Sequence, residues 1–318
     1  MIFFNFDDIF NQLMLLKFWF TTNLIYPSCS EKNRYELLIE EIIVSGLILG
    51  GLYSLLSIGF SLIKGVAGIL NLAHGALYLL SAYLIYSLLP LGLGPAIIIS
   101  LILIVLIGLV IYRLLIGPLR EKELRAAVVT LALALVIQES IKLIFGPEIK
   151  SIPNLITGFS TILGVKVVNQ KLLALVVALA VTIALWFFIQ RTKQGKAIRA
   201  MVQNMDVARL VGINIRKVLM ISMAISVLLA GIAAVLFVPV YFISPTGWTI
   251  LFRTFPVIIL GGLGSIKGSF VAAFILAFSE KIVEFTIGGG YIVPIVTFAI
   301  MISVLFIKPT GLFGKTIQ

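Results

Sequence analysis

The chain holds one histidine, His74, and one cysteine, Cys29. Neither a His/Cys metal cluster nor an internal disulfide can be assembled from them, so no metal or cofactor chemistry is expected. The other polar groups that interrupt apolar runs are Asn71, the set Gln138, Glu139 and Lys142, and the set Glu280, Lys281 and Glu284. In hydrocarbon an unpaired polar group costs several kcal/mol, so each must face another helix or a cavity. Asn71 and His74 lie three positions apart and are expected on one helix face, where bonding between helices is commoner than contact with a transported molecule. Glu139 and Lys142 stand at i and i+3 and can neutralise each other; Glu280, Lys281 and Glu284 admit the same account. No pair of acids and no supported Ser/His pair is recognisable, which makes an intramembrane enzyme the weakest class. An ion-coupled carrier more often places an acid near mid-bilayer, and Glu139 alone approaches this.

Such groups must be positioned by a scaffold that lives in lipid. With 61% hydrophobic and 12% charged residues among 318, and a mean hydropathy of +1.18, a soluble domain is excluded because its apolar surface could not be covered by charge. At about 20 apolar residues per crossing, the length has room for roughly eight to ten helical spans. Segments 42–63, 66–89, 93–112, 126–145, 172–190, 218–238 and 291–307 are apolar enough to span. They read as helices because an open strand leaves its backbone groups unpaired in lipid. Residues 253–285 are too long for one straight span and are cut by Gly261-Gly262-Leu263-Gly264-Ser265, so a short helix, a break and a second helix are expected. The fold class is all-α: a polytopic transmembrane helical bundle with broken or re-entrant helices. Asp7 and Asp8 stand where a secretory signal carries positive charge, so residues 1–39 do not read as a cleaved signal peptide. Within them, 10–26 is apolar but interrupted by Lys17, compatible with an interfacial helix, an additional span or a misassigned start.

The net charge of +11 is read as topological information rather than as a footprint for nucleic acid. Arg191, Lys193, Lys196, Arg199, Arg209, Arg216 and Lys217 face one acid, Asp206, within loop 191–217, which the positive-inside rule places in the cytoplasm. Parity then puts Arg113, Arg120, Lys122 and Arg125 inside and the 146–171 connection outside. Lys308 and Lys315 reach the cytoplasm only if 253–285 crosses twice, with its turn near Lys267 inside.

Within that loop, Ile198, Met201, Val202, Met205 and Ala208 fall on one face of a helix expected over 195–212, and Gly212 stands where a helix commonly ends in a left-handed residue. The stripe suits either a basic helix resting on anionic lipid or a docking helix for a cytoplasmic protein. One internal similarity bears on a route through the bundle. Ile48-Leu49-Gly50-Gly51-Leu52-Tyr53-Ser54 matches Ile259-Leu260-Gly261-Gly262-Leu263-Gly264-Ser265 at six of seven positions. Paired glycine-interrupted helices would mark a translocation pathway, and close packing through small residues is the alternative. Tyr53, Ser57 and Ser61 extend one face of the first span and join Asn71, His74, Gly261 and Gly262 as pathway candidates.

Four elements, in order, resemble the branched-chain amino acid permeases of ABC importers. Asn71-Leu72-Ala73-His74-Gly75 is similar to that family's Asn-Phe-Ala-His-Gly signature, with leucine for phenylalanine. The 195–212 run resembles its coupling loop, Gly261 to Ser265 its Gly-Gly-Ile-Gly-Ser element, and Lys308-Pro309-Thr310-Gly311-Leu312 its Met-Pro-Thr-Gly-Ile ending. The resemblance extends from about residue 40 to the end and leaves 1–39 as an extension. It implies a permease domain over 40–318, part of an ATP-driven importer in the cell membrane. Its partners would be a second, related permease subunit, two cytoplasmic ATPases and an extracytoplasmic binding protein. Gly195, Asp206, Ala208 and Gly212 would touch the ATPase. The chain has no Gly-x-x-x-x-Gly-Lys-Ser/Thr phosphate loop, so ATP hydrolysis is expected on a partner. Leucine, isoleucine and valine are the implied cargo, with urea or short-chain amides carried elsewhere in the family.

Overall fold

The computed structural model describes residues 31–119, 122–245, 248–288, 290 and 292–314; Cys29 and the apolar stretch 10–26 lie outside these. Eleven helices follow in order: α1 (Glu31–Ala67), α2 (His74–Leu88), α3 (Leu93–Ile111), α4 (Glu123–Phe145), α5 (Asn169–Arg191), α6 (Lys193–Gln203), α7 (Met205–Leu210), α8 (Ile215–Tyr241), α9 (Trp248–Gly261), α10 (Ile266–Thr286) and α11 (Ile292–Ile307). Two short antiparallel strands, β1 (Phe159–Ile162) and β2 (Val165–Val168), form a hairpin between α4 and α5. Among the described residues, six helices are long and apolar enough to cross a membrane, and the 14-residue α9 and 16-residue α11 are shorter.

Burial along each helix follows where its small residues fall. On α3, Ala96, Ser100, Ile104 and Gly108 recur every fourth residue and are buried, while Ile98, Ile102, Leu106 and Val110 form the opposite, exposed stripe. The same spacing buries Ala126, Thr130, Ala134 and Gln138 on α4, and Ala174 and Ala178 on α5. With lipid as solvent, association comes from close backbone approach and interhelical hydrogen bonds, so small residues turn inward and large apolar ones face out. α1 and α8 sit at the centre: α1 packs on α5, α8, α9 and α10, and α8 on α2, α3 and α5.

The bundle has a basic end and a hairpin end. At the basic end Lys64 of α1 pairs with Glu123 of α4. The α9–α10 turn lies against α1, where a Cβ added to Gly65 would stand 2.8 Å from the Gly264 carbonyl. The segment after α11 is strapped to α9, Leu312 N–H donating to Leu260 C=O (2.8 Å) and Phe313 N–H to Gly261 C=O (3.1 Å). At the hairpin end Gln170 ties the 146–168 connection to α8, accepting from Leu155 N–H (3.0 Å) and donating to Leu236 C=O (3.1 Å). The hairpin turn meets α1 beside Leu37 and Glu40. Nearby, Lys150 donates to exposed Glu148 (2.9 Å), which holds the Glu148 carboxyl below its ordinary value.

Two expected helices are divided. The 66–89 segment breaks over 68–73: α1 ends at Ala67, Gly68 takes φ +73°, and α2 starts at His74. The 195–212 helix is split into α6 and α7 at Asn204, whose extended backbone lets its side chain cap α7 through the N–H groups of Asp206 and Val207, both at 3.0 Å. An asparagine that bonds its own backbone two or three residues on restarts a helix rather than continuing it, and apolar periodicity does not register this.

Candidate functional site

Loop 193–214 is the first candidate. Thr192 caps α6, accepting the Gly195 N–H (2.9 Å) and donating to Phe188 C=O (2.7 Å). α6 packs so closely on the end of α5 that a Cβ at Gly195 would lie 2.3 Å from the carbonyl oxygens of Phe188 and Ile189. Arg199 donates to the Ile189 carbonyl as well. Part of the apolar stripe expected to meet lipid or a partner is turned inward: Ile198, Met201 and Ala208 belong to the bundle core, with α6 seated on α1, α5 and α8, while Met205 is half-buried and Val202 stays exposed. The reason is geometric. A short helix folded back onto the ends of three others covers its apolar face with its own chain first. The surface left open carries Val202, Val207, Leu210 and Val211 among exposed polar residues. Of the four motif residues, Gly195 and Ala208 are buried. Asp206 is exposed in the first turn of α7, and Gly212 is exposed with φ +83° and no atom within 4 Å of an added Cβ.

The second candidate is the seam between α1 and α10. Ser57 Oγ donates to the Ser54 and Ser269 carbonyls, both at 3.3 Å, and Ser61 Oγ meets Ser269 Oγ at 2.5 Å. Ser57 and Ser61 are thus buried between helices. One turn or so further toward the hairpin end, buried Tyr53 donates to Glu280 Oε2 (2.8 Å), and Thr297 of α11 donates to Glu280 Oε1 (2.9 Å). The Arg253 guanidinium of α9 lies within electrostatic range of Tyr53 and Glu280. Lys281 and Glu284 do pair at 2.6 Å, but Glu280 leaves that set and points into the bundle. Glu139 pairs with Lys142 at 2.7 Å, and Glu139 is exposed. Arg253 and Thr297 escaped the sequence reading: the arginine marks the start of an apolar run and the threonine is ordinary in a span. The available signal was an isolated cation, Arg253, with no acid near it in sequence.

Asn71 and His74 do not share a helix face, because Asn71 belongs to the break before α2. Its Oδ1 accepts the Ala73 N–H (3.2 Å) and its carbonyl the His74 N–H (3.1 Å). His74 Nδ1 lies 3.3 Å from Ser226 Oγ of α8, and the ring packs edge-on against Phe60. Thr130 of α4 closes the break, accepting from Leu72 N–H (3.1 Å), with its one hydroxyl hydrogen shared between Ala127 C=O (3.0 Å) and Leu70 C=O (3.2 Å). Thr130→Val keeps the shape and strips the Leu72 N–H of its partner, so a loss of about 1–3 kcal/mol is expected. Thermal denaturation of the purified protein reads it, and an unshifted transition would remove Thr130 from this role.

The repeated glycine element behaves differently in its two copies. Gly50 and Gly51 stay inside continuous α1, whereas Gly262 and Gly264 take φ +96° and +85° and break α9 from α10. The one position at which the copies differ decides this: a tyrosine, Tyr53, stands where the second copy needs a left-handed glycine. Paired broken helices are therefore not formed. Gly261 remains helical and packs on Gly268, where its added Cβ would meet the carbonyl carbon at 2.5 Å.

Comparison with known proteins bears on this arrangement. The family model described as branched-chain amino acid transport system / permease component matches residues 42–305. The chain is 29% identical over 292 residues to the high-affinity branched-chain amino acid transport system permease protein BraD of Pseudomonas aeruginosa, covering 86% of this chain and 95% of that one. It is 27% identical over 290 residues to the high-affinity branched-chain amino acid transport system permease protein LivH of Escherichia coli, covering 85% of this chain and 94% of that one. It is 28% identical over 301 residues to the probable branched-chain amino acid transport permease protein LivH of Methanocaldococcus jannaschii, covering 86% and 93%.

Proposed function

The chain belongs to the branched-chain amino acid transport system / permease component family, and from that premise we propose that it is the multi-pass membrane subunit of an ATP-driven importer of leucine, isoleucine and valine. The observation that carries the mechanism is the two-sided loop: α6 and α7 are rooted in the bundle by Gly195, Ile198, Met201 and Ala208 and expose Val202, Val207, Leu210 and Val211. A surface of this kind serves as a lever. An ATPase gripping the exposed residues, with Asp206 and Gly212 among them, moves α1, α5 and α8 through the buried ones. Residues 40–318 form the permease domain in this reading, and 1–39 an extension.

The basic end faces the cytoplasm, in keeping with its excess of Lys and Arg, and the hairpin end faces an extracytoplasmic binding protein. A second, related permease subunit and two ATPases complete the assembly. The relatives' names point to branched-chain amino acids rather than urea or short amides, and Glu139, the acid expected nearest mid-bilayer, is exposed and paired with Lys142.

The test is radiolabelled leucine uptake by vesicles holding the whole assembly, with binding protein outside and ATP enclosed. Uptake is expected only with ATP inside. Equal uptake by this chain alone, driven by an ion gradient without ATP, would overturn the assignment.

A further inference from the structure

A cavity of about 360 Å³ lies between α9, α10 and α11 toward the hairpin end. That size falls within the range of roughly 300–1,000 Å³ usual for small-ligand sites. Its walls divide by chemistry. Phe252, Val293, Pro294 and Phe298 are apolar, Arg253 supplies a guanidinium, and Glu280 with Thr297 supplies a carboxylate and a hydroxyl. Exposed Phe252 and Arg253 show that the cavity reaches the molecular surface. Glu280 is only 3% exposed and is held by Tyr53 and Thr297 on its two oxygens.

Resting on the importer reading above, we infer that this cavity is a binding subsite for a zwitterionic α-amino acid with an apolar side chain: ammonium on Glu280, carboxylate on Arg253, side chain among Phe252, Val293, Pro294 and Phe298. The charge balance selects the class. The site carries one fixed positive and one fixed negative group, so a zwitterion gives each a partner and adds no net charge. A simple cation leaves Arg253 without a partner, a simple anion leaves buried Glu280 unmatched, and a neutral amide matches neither. Tyr53, donating to one Glu280 oxygen, and Thr297, donating to the other, hold the carboxylate oriented before the ligand arrives. An arginine fork suits a carboxylate in the same way. The cavity stands near the end at which cargo enters, so it would receive the amino acid from the binding protein before the bundle opens toward the other side.

The experiment measures equilibrium binding of labelled leucine to the complete permease–ATPase complex in nanodiscs, without binding protein. Leucinol, which lacks the carboxylate, and 4-methylpentanoate, which lacks the ammonium, serve as competitors. Leucine is expected to bind saturably and each competitor roughly 10- to 100-fold more weakly. Arg253→Gln should weaken leucine by a similar factor and leave leucinol unchanged, and Glu280→Gln should weaken leucine and leave 4-methylpentanoate unchanged. Glu280→Gln retains an oxygen and a near-identical shape; complexes that keep their subunits and melting temperature qualify as folded, and Thr297→Val, removing one donor to Glu280, provides a milder second variant. Leucine binding unaltered in folded Arg253→Gln and Glu280→Gln complexes, or equal competition by leucine and leucinol, would overturn the subsite. ATP-driven leucine uptake that stays normal in both variants would sink the subsite alone, whereas wild-type complexes importing no branched-chain amino acid would sink the importer reading beneath it.

Discussion

Leu210→Asp is expected to leave the permease folded and to weaken its hold on the ATPase by roughly 30-fold or more. Leu210 is 85% exposed at the end of α7, with Val211 and Val207 beside it, and among the described residues nothing covers them. An apolar anchor at the centre of an interface costs about 2 kcal/mol or more when lost, which is roughly 30-fold in affinity. Met201→Asp should fail in another manner, because Met201 is buried beneath the same loop. A carboxylate there is forced among α1, α5 and α8, so yield and melting temperature fall before any partner is added. Co-purification with the ATPase and thermal denaturation, run on both variants, separate the two failures. Normal co-purification of Leu210→Asp would show that the ATPase grips elsewhere.

Gly262→Ala is expected to destabilise the bundle by about 3 kcal/mol or more. The glycine takes φ +96°, and an added Cβ would lie 2.4 Å from Gly314 N and 2.7 Å from Gly314 Cα. Backbone strain and overlap with the strapped segment therefore add. Gly212→Ala supplies the comparison, since φ is +83° there and the added Cβ meets nothing within 4 Å. Strain alone predicts about 1–2 kcal/mol at that position. Melting temperatures of the two variants isolate the overlap, and equal shifts would mean that the terminal segment yields freely.

The sequence was most informative where physics leaves a coarse mark. Apolar runs located the spans from residue 93 onward to within a few residues but missed the long start of α1 and the true start of α2, and glycines with a required left-handed backbone located the break between α9 and α10. The 68–73 break and the split at Asn204 were lost because they rest on an asparagine bonding its own backbone, which leaves apolar periodicity intact. The direction in which Ile198, Met201 and Ala208 point was lost for another reason. Amphipathicity shows that a helix has an apolar face, while the identity of what covers that face is a tertiary fact. Tyr53 was singled out from its place on α1, but its partners Glu280, Arg253 and Thr297 come from three other helices up to 244 residues away, and no local pattern joins them.

The length of α1 has a bearing on how the assembly meets its surroundings. Its 37 residues rise to roughly 55 Å, against a hydrocarbon layer of about 30 Å. Its Ala67 end stops level with the ion pair to α4, so the surplus stands out at the opposite side as a mast, with the β1–β2 ribbon propped against it. In the proposed orientation the outward face of this subunit would be terraced, and a binding protein descending on it would touch the mast before it reached the mouth of the bundle. Shape at that height, as well as charge, would then set the angle from which cargo is handed over.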